Sequence, residues 1–198
     1  MIKDNDLTPS HQNQPEQEQA QSPNWWRQIW ENLQIVVVAL AIAFLIRAFI
    51  AEPRYIPSDS MLPTLEVGDR LVVEKVSYYF QAPQPGDIVV FSPPPQLQMQ
   101  GYEPSQAFIK RVIGTPGDIV MVLNGTVYVN NLPISENYIY DLPQYTLEPL
   151  QVPDGQVFVM GDNRNNSNDS HIWGFLPQEN IIGQAVWRFW PLSRVGKV

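Results

Sequence analysis

The stretch QIVVVALAIAFLIRAFI, Gln34 to Ile50, limits what this chain can become more than any other feature. Ile35 to Ile46 is unbroken apolar sequence, and Ile29 to Ile50 extends it to roughly the 20 residues a helix needs to cross a bilayer. Such a run is buried in lipid, buried in a protein core, or cleaved off as a leader. A cleaved leader begins near the N-terminus with a basic patch and ends in small residues, whereas this run follows a long acidic tail and ends in RAFIAEPR. The expectation is a retained single-pass membrane helix. Trp25, Trp26 and Trp30 on one side and Arg47 and Arg54 on the other read as interfacial anchors. Lys3 and Arg27 precede the run while Arg47, Arg54 and Arg70 follow it, so flanking charge leaves the orientation open.

The run divides the chain. Residues 1–24 are crowded with Gln, Asn, Pro, Glu and Ser, a composition that cannot bury enough surface to offset its ordering entropy, and a disordered polar tail is expected there. Residues 25–53 form the anchor with its flanks. From 54 to 198 the pattern is short β-runs bounded by turn residues: RLVVEKVSYYF, GDIVVFSP, AFIKRVIG, GDIVMVLNGTVYVNN, GQVFVMGD and IIGQAVWRFW. Asn124-Gly125 between two apolar runs is the strongest hairpin signal. The predicted fold is therefore mostly β, one N-terminal transmembrane helix followed by an antiparallel sheet domain. FSPPPQLQMQGYEPSQ is expected as a surface loop, and LPISENYIYDLPQYTLEPLQVPDG is too broken by proline for strands throughout.

Composition excludes several functions. The net charge of -8, with no cluster of Lys and Arg, argues against a nucleic-acid partner. The absence of cysteine removes thiol catalysis, disulfides and thiolate metal sites. The imidazoles are His11, in the polar tail, and His171. A multi-histidine zinc site would need both of them.

Three stretches carry candidate chemistry. In RYIPSDSMLPTL, Arg54 to Leu65, Ser58 and Ser60 lie between prolines, which by itself describes a turn. A serine nucleophile needs a group that removes its proton, usually His and sometimes Lys. Of the four lysines, Lys110 is the unusual one. Strand alternation in AFIKRVIG puts it on the face of Phe108 and Val112, where desolvation would depress its pKa. A lysine snorkelling from a strand edge is the plainer alternative. The third stretch, Met160 to Phe175, is MGDNRNNSNDSHIWGF. A calcium loop does not fit: a register from Asp162 puts Arg164 on the second ligand, and one from Asn163 puts Asn168 where the glycine belongs. What remains is a hydrogen-bonding loop with Ser167, Asp169 and His171.

Together these stretches resemble the type I signal peptidases, the membrane-bound Ser/Lys leader peptidase family. PSDSMLPTL is similar to the family's nucleophile motif, GDIVVF to a core strand motif, FIKRVIGTPGD to its lysine motif and GDNRNNSNDSHIWGF to its last motif, in the family's order. The likeness runs roughly from Ile35 to Phe175 and leaves a short insertion at about 119–157 outside any motif. It implies Ser60 as nucleophile and neutral Lys110 as general base, with the Ser60 N–H and the Ser58 hydroxyl as oxyanion hole. It implies Ser167 holding the lysine amine and an Asp169–Arg111 ion pair in support. Ile56, Met61, Leu65, Val90 and Ile109 would line shallow pockets for Ala-x-Ala type residues, the peptide binding by strand addition. His171 stands where relatives often carry arginine. The implied partners are precursor proteins bearing signal peptides, together with membrane lipid, and the implied location is a single-pass membrane protein with its catalytic domain on the extracytoplasmic side. The resemblance implies no metal and no organic cofactor, and it leaves oligomeric state open. Two other readings stand beside this one: a Ser/His/Asp hydrolase using His171 and Asp169, and a non-enzymatic anchored β module.

Overall fold

The computed structural model describes residues 25–198, and the expected disordered tail lies outside the described residues. Two compact units divide after Ala41. Helix α1 (Trp25–Leu45) continues as one wider π turn, Ile46–Ile50, and none of its residues is buried. It is the one helix among the described residues long and apolar enough to cross a membrane. The helical segment stops at Ile50, and strand β1 (Ala51–Tyr55) begins at once, so the last residues assigned to the anchor already belong to a sheet.

The rest is antiparallel β. After β1 come β2 (Arg70–Glu74), β3 (Ile88–Phe91), a short helix α2 (Pro95–Met99) and β4 (Phe108–Gly114). Then follow β5 (Ile119–Leu123), β6 (Thr126–Val129), β7 (Leu132–Pro133), β8 (Leu147–Gln151) and β9 (Gln156–Met160). Helix α3 (Ser170–Trp173), β10 (Leu176–Pro177), β11 (Ile181–Trp190) and β12 (Gly196–Lys197) close the chain. One sheet runs β1-β2-β11-β3-β4-β9-β10 with β12 on β11, and the insertion forms a second, β7-β6-β5-β8. Asn124 and Gly125 both take positive φ, 49° and 77°, which joins β5 to β6 by the tight turn the Asn-Gly pair signalled.

Proline hid all four strands at the sheet ends, Pro133 in β7 and Pro177 in β10 as well as the two longer ones. Pro53 in β1 and Pro149 in β8 lie on strands at the ends of their sheets, the place where a missing N–H costs no ladder bond. In the expected surface loop, α2 turns Leu97 inward, where it is fully buried. All four residues of β3 are buried because both of its faces are covered. Ile88 and Val90 join Ile56, Met61, Leu65 and Ile109 in one cluster, and Val89 and Phe91 join Leu97, Val112 and Trp173 in another. β4, beside β3, inherits that double burial, and this sets the environment of Lys110.

Candidate active site

Lys110 is the third residue of β4, between β3 and β9, with Val89 as its register partner. Its side chain is 4% exposed, so the snorkelling alternative fails: the amine stays inside. Nζ donates to Ser60 Oγ at 2.7 Å and to the Ile109 carbonyl at 2.9 Å. Burial pushes the amine down to about 8, against the raising pull of the Asp169 and Asp162 carboxylates.

Ser60 comes to this amine because the chain from Ile56 to Asp69 folds back on itself. Ile56 N–H donates to the Asp69 carbonyl at 2.9 Å and Gly68 N–H returns to the Ile56 carbonyl at 3.0 Å. Inside this loop Leu62 N–H closes a turn on the Asp59 carbonyl at 3.1 Å, with Ser60 near its tip. The loop after β9 clamps the turn from outside, Asn163 N–H donating to the Ser60 carbonyl at 3.1 Å. Close approach requires Gly161: a β-carbon there would stand 2.4 Å from the Ser60 carbonyl oxygen and 2.3 Å from Ser167 Oγ.

The site opens on two clefts. One, of about 330 Å³, is lined by Pro57, Ser58, Ser60, Phe108, Ile109 and Lys110. The other, of about 290 Å³, is walled by Tyr55, Ile56, Val90 and Ile109 among others. Met61 and Leu65, expected beside these three apolar residues, are fully buried in the cluster beneath and present no surface to a ligand. Ser58 is exposed at the cleft, and the Ser60 N–H has no hydrogen-bond partner among the described residues.

The supporting contacts differ from those expected. Arg111 does not pair with Asp169. Its Nε and Nη2 grip Asp162 at 2.8 and 2.7 Å, Nη1 donates to the Gly86 carbonyl, and the guanidinium lies 4.0 Å over the Tyr138 ring. The register explains the exchange: Arg111 faces Met160 across the β4–β9 ladder, and Asp162 lies two residues further on the same side. Asp169 instead accepts from Gly161 N–H at 2.8 Å and pairs with His171 Nδ1 at 2.6 Å, while Tyr145 stacks on the imidazole at 4.1 Å. Ser167 does not hold the lysine amine. Its Oγ is buried against Gly161 without a hydrogen-bond partner among the described residues. Asp162, Asn163 and Arg164 figured in the sequence only in the rejected calcium loop, and the buried fork of Arg164 on Glu136 was not foreseen. Alternation on from Met160 could have found Asp162, but no local signal pairs residues 136 and 164. Among the described residues no group of His, Cys, Asp or Glu is placed to hold a metal.

A buried amine on a serine hydroxyl, beside an open cleft, can take a proton and deliver a nucleophile. Likeness to known proteins places the chain in a family. The chain is 65% identical over 176 residues to "Probable signal peptidase I-1" of Synechocystis sp., covering 89% of this chain and 90% of that one. It is 50% identical over 191 residues to "Signal peptidase I" of Leptolyngbya laminosa, covering 96% and 94%. It is 48% identical over 168 residues to "Probable thylakoidal processing peptidase 2, chloroplastic" of Arabidopsis thaliana, covering 85% of this chain and 46% of that one. The model of the family "Signal peptidase, peptidase S26" matches residues 29–190, a span that holds the apolar run from Ile29 to Ile50, both serines, Lys110 and the loop after β9, and the chain belongs to that family.

Proposed function

We propose that this chain is a membrane-anchored serine endopeptidase that removes signal peptides from precursor proteins, with Ser60 as nucleophile and Lys110 as general base. The observation that carries the assignment is the 2.7 Å contact between Lys110 Nζ and Ser60 Oγ, made by an amine that burial has pushed to about 8. Neutral Lys110 takes the hydroxyl proton as Ser60 Oγ bonds to the scissile carbonyl carbon, and the carbonyl π pair moves onto oxygen. The Ser60 N–H and the Ser58 hydroxyl donate to that oxyanion. Collapse breaks the C–N bond, Lys110 protonates the departing amine, and the same lysine then activates a water that hydrolyses the acyl-enzyme. Ile56, Val90 and Ile109 supply the apolar walls for small residues before the cleaved bond, the peptide lying extended along the clefts.

The apolar helix supports a membrane location, which suits a substrate still held in the bilayer by its own signal segment, and an extracytoplasmic catalytic domain fits that task. The histidine reading loses its ground in the geometry: His171 is committed to Asp169 and Tyr145, while the Ser60 hydroxyl is bonded to Lys110. The deciding experiment is cleavage of a model precursor by the full chain in detergent, wild type against Ser60→Ala. Loss of product is expected; equal rates from both proteins would falsify the assignment and leave a binding module.

Two further results are expected. The rate rises with pH through about 8 as Lys110 loses its proton, and this limb persists in His171→Ala. A limb near pH 6 to 7 that vanishes in His171→Ala would transfer the role to the imidazole. Ser58→Ala lowers kcat by about 10² to 10³-fold with little change in KM, because its hydroxyl acts chiefly once the oxyanion has formed, and Ser58→Thr recovers much of the rate. Steady-state kinetics on one peptide checks both substitutions, and a Ser58→Ala enzyme near wild type removes Ser58 from the oxyanion hole.

A further inference from the structure

An oxyanion donor works only if its direction is fixed before the charge develops. The Ser60 N–H belongs to the Asp59–Ser60 peptide unit, which is planar, so whatever holds the Asp59 carbonyl also aims the N–H on its other side. That carbonyl accepts from Asn163 Nδ2 at 3.1 Å and from the Leu62 N–H of its own turn at 3.1 Å. The next peptide unit, Ser60–Met61, is held through its carbonyl by the Asn163 backbone N–H, also at 3.1 Å. One residue, reaching 104 positions along the chain, thus grips the peptide units on both sides of the nucleophile. Asn163 follows Gly161, whose N–H Asp169 holds from the start of α3, and Asp162, which Arg111 grips from β4.

We propose that Asn163 is the positioning residue of the oxyanion hole: its side-chain amide locks the Asp59–Ser60 peptide so that the Ser60 N–H stays aimed into the cleft. Donation to the Asp59 carbonyl also polarises that peptide and makes its N–H a better donor. This rests on the assignment of Ser60 as nucleophile. Asn163 touches no reacting atom and acts through the peptide alone. The bond lies near solvent, so water partly replaces the lost amide, and the effect is smaller than deletion of a donor.

The test is Asn163→Ala, which removes the side-chain amide and keeps the backbone N–H that holds the Ser60 carbonyl. The full chain in detergent is assayed for kcat, KM, pH profile and thermal midpoint, and for affinity towards a peptide aldehyde. As Ser60 Oγ bonds to the aldehyde carbon its proton passes to Lys110 and the carbonyl π pair moves onto oxygen, leaving an oxyanion in the hole, whereas an uncleavable peptide of the same sequence places no such charge there. The expected result is a fall in kcat of about 10-fold, matched by the same loss of aldehyde affinity, with KM, uncleavable-peptide affinity, thermal midpoint and the pH limb unchanged. Asn163→Ser, which restores a shorter donor, recovers part of both. A kcat within twofold of wild type overturns the proposal, as does a fall in kcat with aldehyde affinity intact, or a loss traced wholly to a moved pH limb. Ser60→Ala run alongside separates the two levels: activity retained there overturns the nucleophile, whereas an inactive Ser60→Ala beside a full-rate Asn163→Ala overturns the role of Asn163 alone.

Discussion

Lys110→Met is expected to abolish cleavage and to make the protein more stable. The amine is fully buried, and its pKa of about 8 means that near neutral pH the folded chain carries an ammonium in a place that disfavours charge, at a cost of about 3 kcal/mol relative to a free lysine. Methionine is of similar length and brings no charge, though it forfeits the bonds to Ser60 Oγ and the Ile109 carbonyl, so a net gain of about 1–3 kcal/mol is expected. The sign has a pH signature. Between the ordinary lysine value and about 8 the unfolded chain binds a proton that the folded chain refuses, so wild-type stability falls as pH is lowered through that window and stays low beneath it. The advantage of Lys110→Met is therefore largest at pH 7 and shrinks towards pH 10. Denaturant midpoints of both full-length proteins at the two pH values decide the matter. A methionine variant less stable than wild type at pH 7 would show that the lysine is there for packing, and the argument that its burial serves chemistry would fall.

How much of this was readable in the sequence depends on how local each signal was. The apolar helix, the Asn-Gly hairpin and the β-run around Lys110 are set by neighbours in the chain, and hydropathy and turn chemistry report them. Lys110 announced itself because a charge in an apolar strand conflicts with its pattern. The partners of that charge were another matter. Alternation says which face a residue takes but not what arrives from another strand, and the pairing of Arg111 with Asp169 that the resemblance implied gives way to Asp162, which the ladder delivers. The resemblance implied Met61 and Leu65 as pocket walls, yet the turn at Leu62 and the Met61 to Leu65 hydrogen bond send both into the core. Proline masked β1 and β8 because a sequence does not say which strand is an edge.

Arg164 shows what the insertion contributes to the site. It is fully buried; burial pulls its pKa down, but the bond to and charge of Glu136 outweigh this and leave it raised. Nη1 meets Glu136 Oε2 at 2.8 Å, Nη2 takes the other oxygen, and Nε donates to the Gly161 carbonyl at 3.0 Å. The insertion is thereby tied to the one glycine that packs beneath the Ser60 carbonyl. Arg164→Met strands the Glu136 carboxylate in the interior and frees the Gly161 carbonyl, which should cost about 3–5 kcal/mol, and Glu136→Gln should cost less because its amide keeps one acceptor oxygen for the guanidinium. With Glu136→Gln added, Arg164→Met no longer leaves a buried charge, so the double variant should be more stable than Arg164→Met alone. Cleavage follows a different rule. Every variant lacking Arg164 loses the grip on Gly161, so kcat should stay low in the double variant even where stability has returned. Denaturant midpoints and kcat measured on all four proteins separate the two effects. Recovery of kcat in step with stability would mean that the ion pair only holds the fold, and that the Gly161 carbonyl needs no anchor for the nucleophile turn to work.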